Sequence, residues 1–237
     1  MAARSPRADA TRQAILRAAF ACFADHGFKA TTTREIARRA GVTSPLIHHY
    51  FGDKEQLYEA AVAELIAEYE VVQDAQWKRA PDDVGFFTEG LTVLFAWMGQ
   101  DADQIRFMTW ARLEGRFSAP PSALALTERV RERAVAAQAH GVLRADVDVD
   151  TAMVVIDALF KGYWQQEAFY PAIYPREALR EGFLRLSLRL LLEGILTPEA
   201  LERARPYWED ERRVLLDDAV DRAPPRAAAR EEGDASR

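Results

Sequence analysis

Between Thr32 and Lys54 the chain reads TTREIARRAGVTSPLIHHYFGDK, a run that concentrates groups able to meet an anion. The hydroxyls of Thr32 and Thr43 stand where short helices begin, beside free amide hydrogens and the positive helix end, a setting that suits a phosphate oxygen. Lys54 falls in the first turn of the next helix, from which an ammonium reaches a flanking phosphate. Ser44, Leu46 and His49 share an outward face that can read base edges, the leucine by contact with a thymine methyl and the other two by hydrogen bonds. That face carries no arginine or glutamine for a bidentate contact, so it predicts modest base discrimination supplemented by indirect readout. The chemistry is recognition of a polyanion rather than bond-making.

Two helices and a tight turn are needed to hold these groups. Thr32 and Glu35 have the spacing of a capping box and open a helix that runs to about residue 40, where Gly41 turns the chain. A further helix over about 43–50 carries Pro45 in its first turn, where a missing N–H costs nothing. Ile36 and Ala37 form the apolar side of the former, and Val42 fills the turn. Ile47, Tyr50 and Phe51 anchor the latter to a helix predicted over about 11–26, which has Ile15, Ala19 and Phe23 on one face and Gly27 as its left-handed cap. Ser44, Pro45, Leu46, His48 and His49 are left facing outward. This is a helix-turn-helix, whose second helix enters the major groove of DNA.

Charge agrees with that placement. Residues 1–51 carry eight basic and three acidic side chains, a net of +5, whereas the whole chain of 237 residues carries −6, leaving −11 on the other 186. Such a split suits a basic end that meets a polyanion and an acidic remainder that stays away from it; taken alone, it is equally the ordinary variation of surface charge along a sequence. The long helix after Gly52, opened by Asp53 and Gln56 as a second capping box, carries Glu55, Glu59, Glu64, Glu68, Glu70 and Asp74 before Lys78, so only its beginning can approach DNA.

The run Thr32–Phe51, with Gly27-Phe28 before it and Lys54-Glu55 after it, resembles the DNA-binding domain of the TetR family of bacterial transcriptional regulators over about residues 11–65. The resemblance implies DNA contacts at Thr33 and Arg34, at Thr43, Ser44, Pro45 and Leu46, at His48, His49 and Tyr50, and at Lys54. His48 stands where the family usually has a tyrosine that touches phosphate. The resemblance also implies a homodimer whose all-α C-terminal domain binds a small molecule, the ligand moving the two reading heads apart and releasing the operator. It is the source of the expectation that the regulator is a repressor.

The rest of the chain fits that expectation. Apolar residues recur at three- and four-residue spacing almost throughout and strand-like alternation never persists, which predicts an all-α protein. Helices are predicted to about residue 77 and near 82–99, 102–115, 121–140, 150–167 and 175–194, with linkers such as 118–121 between them. The predicted organisation is a three-helix head over 9–69, joined by a long helix to an effector-binding and dimerisation body over 70–200. An extension over 201–237 begins with possible helix around Trp208 and Leu215, and its end has a composition that cannot support a packed core.

Two of the body helices are apolar over a wide arc, which requires each to bury more than one face. Val155 and Leu159 on the first, with Leu184, Leu186, Leu188 and Leu191 on the second, are the candidates for a two-fold, four-helix interface between copies of the chain. A fully internal pair within a monomer is the other arrangement that such arcs allow. Trp97, Phe107, Trp110, Phe160, Tyr163 and Trp164 lie on neighbouring predicted helices as candidate lining for a mostly apolar effector, the alternative being ordinary aromatic core. Arg106 and Arg112 accompany Phe107 and Trp110 and are candidates to hold a carboxylate.

Other classes are disfavoured. The chain has no Walker A loop, G-x-G-x-x-G, G-x-S-x-G or H-E-x-x-H, and its single cysteine, Cys22, belongs to a helix-core pattern, so neither an enzyme nor a cofactor is expected. Adjacent His48 and His49 point about 100° apart on a helix and lack a third ligand, and the Asp146, Asp148, Asp150 series lacks the glycine and glutamate of a calcium loop, so no metal is expected either. The longest uncharged stretch, 40–52, has only 13 residues, which predicts no membrane span. The lack of a signal-peptide core at the start and the lone cysteine predict a cytoplasmic protein.

Overall fold

A computed structural model describes residues 6–116, 121–167, 169–174 and 176–209. The head consists of α1 (Pro6–Ala30), α2 (Thr33–Arg39) and α3 (Ser44–Phe51), and α4 (Lys54–Val72) leads out of it. Ile15, Leu16, Ala19, Cys22 and Phe23 recur along one side of α1 and are buried. Burying such side chains contributes about 1.5–3 kcal/mol each for the larger ones. Gly27, with φ 75° and ψ 175°, breaks α1 where a left-handed cap was predicted.

The body is α5 (Asp74–Trp77), α6 (Gly85–Gly99), α7 (Ala102–Leu113), α8 (Pro121–Ala139), α9 (Val149–Gln166) and α10 (Arg176–Ile195), followed by α11 (Pro198–Ala204) and α12 (Pro206–Glu209). The described residues contain no strand, only an isolated antiparallel bridge between Leu143 and Leu196. The predicted continuous helix to residue 77 is interrupted at Gln73, which ends α4 and begins α5. Its buried side-chain amide turns inward and donates to Tyr69 Oη at 3.0 Å and to the Gly90 carbonyl at 3.1 Å.

At the other end, helix begins at Pro198, capped by the Thr197 hydroxyl, and Trp208 is buried. Leu215, the rest of the extension, residues 118–120 of the predicted linker and Pro175 lie outside the described residues. Asp148 caps α9 by accepting from Thr151 N at 2.7 Å, and Asp146 pairs with Arg144 at 2.6 Å, so these aspartates are committed to a loop and a cap. Among the described residues, no helix is long and apolar enough to cross a membrane.

Head and body pack tightly against each other through α1 and α7. Phe107 of α7 stacks on Phe20 at 4.8 Å and on Tyr58 at 5.1 Å between ring centroids, and meets Phe23 edge-on at 6.3 Å. These aromatic pairs add a geometric preference to the burial they share.

Candidate nucleic-acid interface

The back of the helix-turn-helix is closed by Ile36, Ala37, Ile47 and Phe51, all buried. The amide of Val42 donates to Ala37 O at 2.9 Å across the turn, and Gly41 takes the left-handed φ of 66° that the turn requires. With that side locked, Pro45, His48 and His49 are exposed on α3, and Ser44, Leu46 and Tyr50 are half-buried. Thr32, Arg34 and Thr43 are also exposed, and Thr33 is half-buried. Arg39 pairs with Asp25 at 2.7 Å, whereas Arg34 and Arg38 form no ion pair among the described residues.

Three details differ from expectation. The Thr32 hydroxyl accepts from Glu35 N at 3.2 Å, but the Glu35 carboxylate meets His26 Nε2 at 3.2 Å, so a tertiary partner takes the other half of that capping box. Thr43 is the N-cap residue of α3, yet its hydroxyl makes no capping bond. Lys54 is half-buried rather than freely exposed. Its Nζ donates to the carbonyls of Phe28 at 2.9 Å and Thr31 at 2.8 Å and lies 4.3 Å from the Phe28 ring centroid. An ammonium has three donors, so one remains for a phosphate. The second capping box, Asp53 with Gln56, forms in full. His48 Nδ1 lies 2.7 Å from the Gly52 carbonyl oxygen, which assigns the ring proton to Nδ1 and turns Nε2 to the outside.

The six candidate effector residues separate into three places. Phe160, Tyr163 and Trp164 gather around Phe95 with centroids 5.2, 5.3 and 4.9 Å away, and Phe183 stacks on Tyr163 at 4.3 Å. The Trp164 indole donates to Phe95 O at 2.9 Å and packs so closely on Gly99 that a Cβ there would lie 2.0 Å from the ring. Trp97 pairs with Tyr69 of α4 at 4.8 Å. Phe107 and Trp110 are in the head–body junction instead, because one face of α7 is covered by α1, so the six do not form one lining. Arg106 is engaged by Asp103 and, at 3.5 Å, by Asp25, while Arg112 is exposed. Phe95 and Phe183 were missed because their spacing marks them only as apolar.

The interface candidates also divide. Leu184 and Leu188 are 0% and 1% exposed and, with Leu192, form the stripe by which α10 enters the core of the chain itself. This corrects their assignment to an interface. Val155 and Leu186 are exposed, as are Val154 and Leu190, and Leu159 and Leu191 are half-buried. A groove of about 320 Å³ between α9 and α10 is lined by Val155, Ile156, Leu190 and Leu191 among others.

Burial pushes the Cys22 thiol upward, although Arg39 opposes the shift, so the thiol is protonated at neutral pH. Burial likewise pushes the Tyr58 phenol up to about 12.

A helix-turn-helix with an outward α3, mounted on an all-helical body, defines a class of bacterial regulatory protein. Residues 15–61 match the profile described as "Bacterial regulatory proteins, tetR family". The chain is similar to the HTH-type transcriptional regulator BetI of Rhizobium meliloti, 49% identical over 55 residues, which are 23% of this chain and 27% of that protein. It is also similar to the HTH-type transcriptional repressor AcnR of Corynebacterium glutamicum, 29% identical over 164 residues, covering 65% of this chain and 79% of AcnR. In fold it is similar to the regulator FadR of Bacillus subtilis, whose crystal structure is a complex with stearoyl-CoA, with a TM-score of 0.59 and 20% identity, the match covering 77% of this chain and 98% of that one. Over residues 15–61 the chain thus carries the pattern of the TetR family, and it is similar to members of that family beyond that segment.

Proposed function

We propose that this protein is a transcriptional regulator, a repressor, that binds a palindromic operator as a homodimer and is released by a small, mostly apolar effector. The observation that carries this reading is the outward face of α3, held from behind by Ile47 and Phe51 and bordered by Arg34 and Arg38, which have no ion-pair partner among the described residues. The head, residues 9–69, reads DNA, and the body, residues 70–200, binds effector and partner subunit. Thr32, Thr33, Arg34, Thr43 and Lys54 meet phosphate, and Ser44, Leu46 and His49 meet base edges.

The dimer reading is supported by the apolar face of Val154, Val155, Leu186 and Leu190, left exposed on α9 and α10. The effector reading is supported by the aromatic cluster around Phe95 and by the stearoyl-CoA complex of the FadR relative. An effector acts by preferring the conformation whose heads no longer match adjacent major grooves, since equal affinity for both shifts nothing. Fluorescence anisotropy with a labelled pool of random duplexes tests the reading: affinity that falls steeply with salt is expected. A flat signal in dilute buffer, or a protein partner bound without salt dependence, overturns it.

A further inference from the structure

The break at Gly27 leaves the amides of Phe28 and Lys29 without helical partners, and both are taken by a single carboxylate from the body. Glu114, just past the end of α7, accepts from Phe28 N at 2.9 Å through one oxygen and from Lys29 N at 3.0 Å through the other. The two surfaces touch closely: a Cβ on Gly27 would lie 2.8 Å from the Trp110 ring. Two residues further along, the Arg116 guanidinium lies 3.3 Å from the Phe28 ring centroid, the same ring that Lys54 approaches at 4.3 Å. Arg116 also grips Glu55 of α4 through both of its terminal nitrogens, one of them at 2.9 Å. Two cations on one ring are compatible because each has its own counterpart, Glu55 for Arg116 and the Phe28 and Thr31 carbonyls for Lys54.

This arrangement fixes direction as well as distance. A bidentate carboxylate pair holds a guanidinium in one plane, and stacking on Phe28 fixes that plane against the corner that carries Lys54. Apolar contact alone constrains sliding far less. We propose that Arg116, which belongs to the body, is a positioning residue for DNA binding: it holds the start of α4 and the Phe28 ring in register, and thereby sets where the Lys54 ammonium meets a phosphate. This rests on the DNA-binding reading given above.

The test uses the full chain and a fluorescein-labelled pool of random duplexes, with affinity measured across a salt series. Arg116→Gln is expected to weaken binding about tenfold and to lower the magnitude of the salt slope by about one, the loss of one phosphate contact. Lys54→Ala should have the same effect, and the double variant should be no worse than either single one, because both remove the same contact. Arg116→Lys, which keeps the charge without the planar grip, should recover only part of the affinity. If Arg116→Gln fails to fold, Phe28→Leu, which keeps apolar volume and removes the shared ring, is read in its place with the same expectation. Additive losses, or an unchanged slope with only a lowered melting temperature, make Arg116 a brace and overturn the proposal. Wild-type protein that binds no duplex sinks the DNA-binding reading itself, and the positioning role with it.

Discussion

Leu186 and Leu188 are two residues apart on α10 and face opposite environments, the first 58% exposed and the second 1%. Their substitution therefore separates association from folding. Leu186→Arg should yield monomers on sedimentation with helical content retained, because the added charge meets water in the monomer and apolar surface in the dimer. Leu188→Ala should instead cost roughly 2–5 kcal/mol of stability in denaturant titration, the toll of a core cavity. A Leu186→Arg protein that stays dimeric rules out this face of α10 as the subunit contact.

His48 donates through Nδ1 to the Gly52 carbonyl, so the neutral ring offers only the Nε2 lone pair to a ligand, and that repels a phosphate oxygen. His48→Tyr places a hydroxyl donor at this outward position and should bind DNA more tightly than wild type, by about 1 kcal/mol or roughly fivefold. Anisotropy titrations of the two proteins check this, with His49→Gln as the comparison that removes the other exposed imidazole of α3. Equal affinities for His48→Tyr and wild type exclude a phosphate contact at this position.

The features that could be read from sequence are those set within a few residues. Gly27 and Gly41 take positive φ, Gly27 as a break inside α1 rather than its terminal cap, Asp53 and Gln56 form their box, and the Ile36, Ile47 and Phe51 pattern closes the back of the helix-turn-helix. Contacts made across long stretches of chain were not legible. Glu35 had the local geometry for a box, but His26 drew its carboxylate away. Periodicity marked Phe107 and Phe160 alike as apolar helix positions, and only the packing of α7 on α1 sends one to the junction and the other to the body core. On α10, leucines all round the helix made Leu184 and Leu186 equivalent in pattern; the neighbours that arrive on one side decide which is buried. Arg116 carried no signal, since its partners Phe28 and Glu55 lie 61 or more positions away.

Gly27→Ala and Gly41→Ala form a pair that compares a glycine at the head–body contact with one in open space. Both have positive φ, 75° and 66°; alanine is strained by roughly 1–2 kcal/mol in a left-handed turn such as that at Gly41, and by more at Gly27, whose ψ of 175° puts it in a region used almost solely by glycine. At Gly41 nothing lies within 4 Å of the added Cβ, whereas at Gly27 it lies 2.8 Å from Trp110 and 2.9 Å from Glu114. Gly27→Ala should therefore destabilise the protein by a further 1–3 kcal/mol or so beyond Gly41→Ala in urea titration. Equal losses in the two variants mean that α7 yields freely at this corner.

Tyr58 ties the same junction to pH. Burial comes first among the influences on its phenol and raises it to about 12, with nearby Arg116 acting in the opposite direction. A phenol in the unfolded chain ionises near about 10. Below that value both states keep the proton and the stabilising contacts of Tyr58 with Phe107 and Phe23 are fully present. As pH rises from about 10 toward about 12 the unfolded state loses its proton while the folded state retains it, so stability falls with increasing pH. Tyr58→Phe removes this linkage and keeps the ring, and should flatten the fall over that window. Tyr69, also raised by burial, remains in the variant and preserves part of the slope. Denaturant midpoints for the two proteins at a series of alkaline pH values check this, and parallel curves would show that the Tyr58 hydroxyl titrates alike in the folded and unfolded chain.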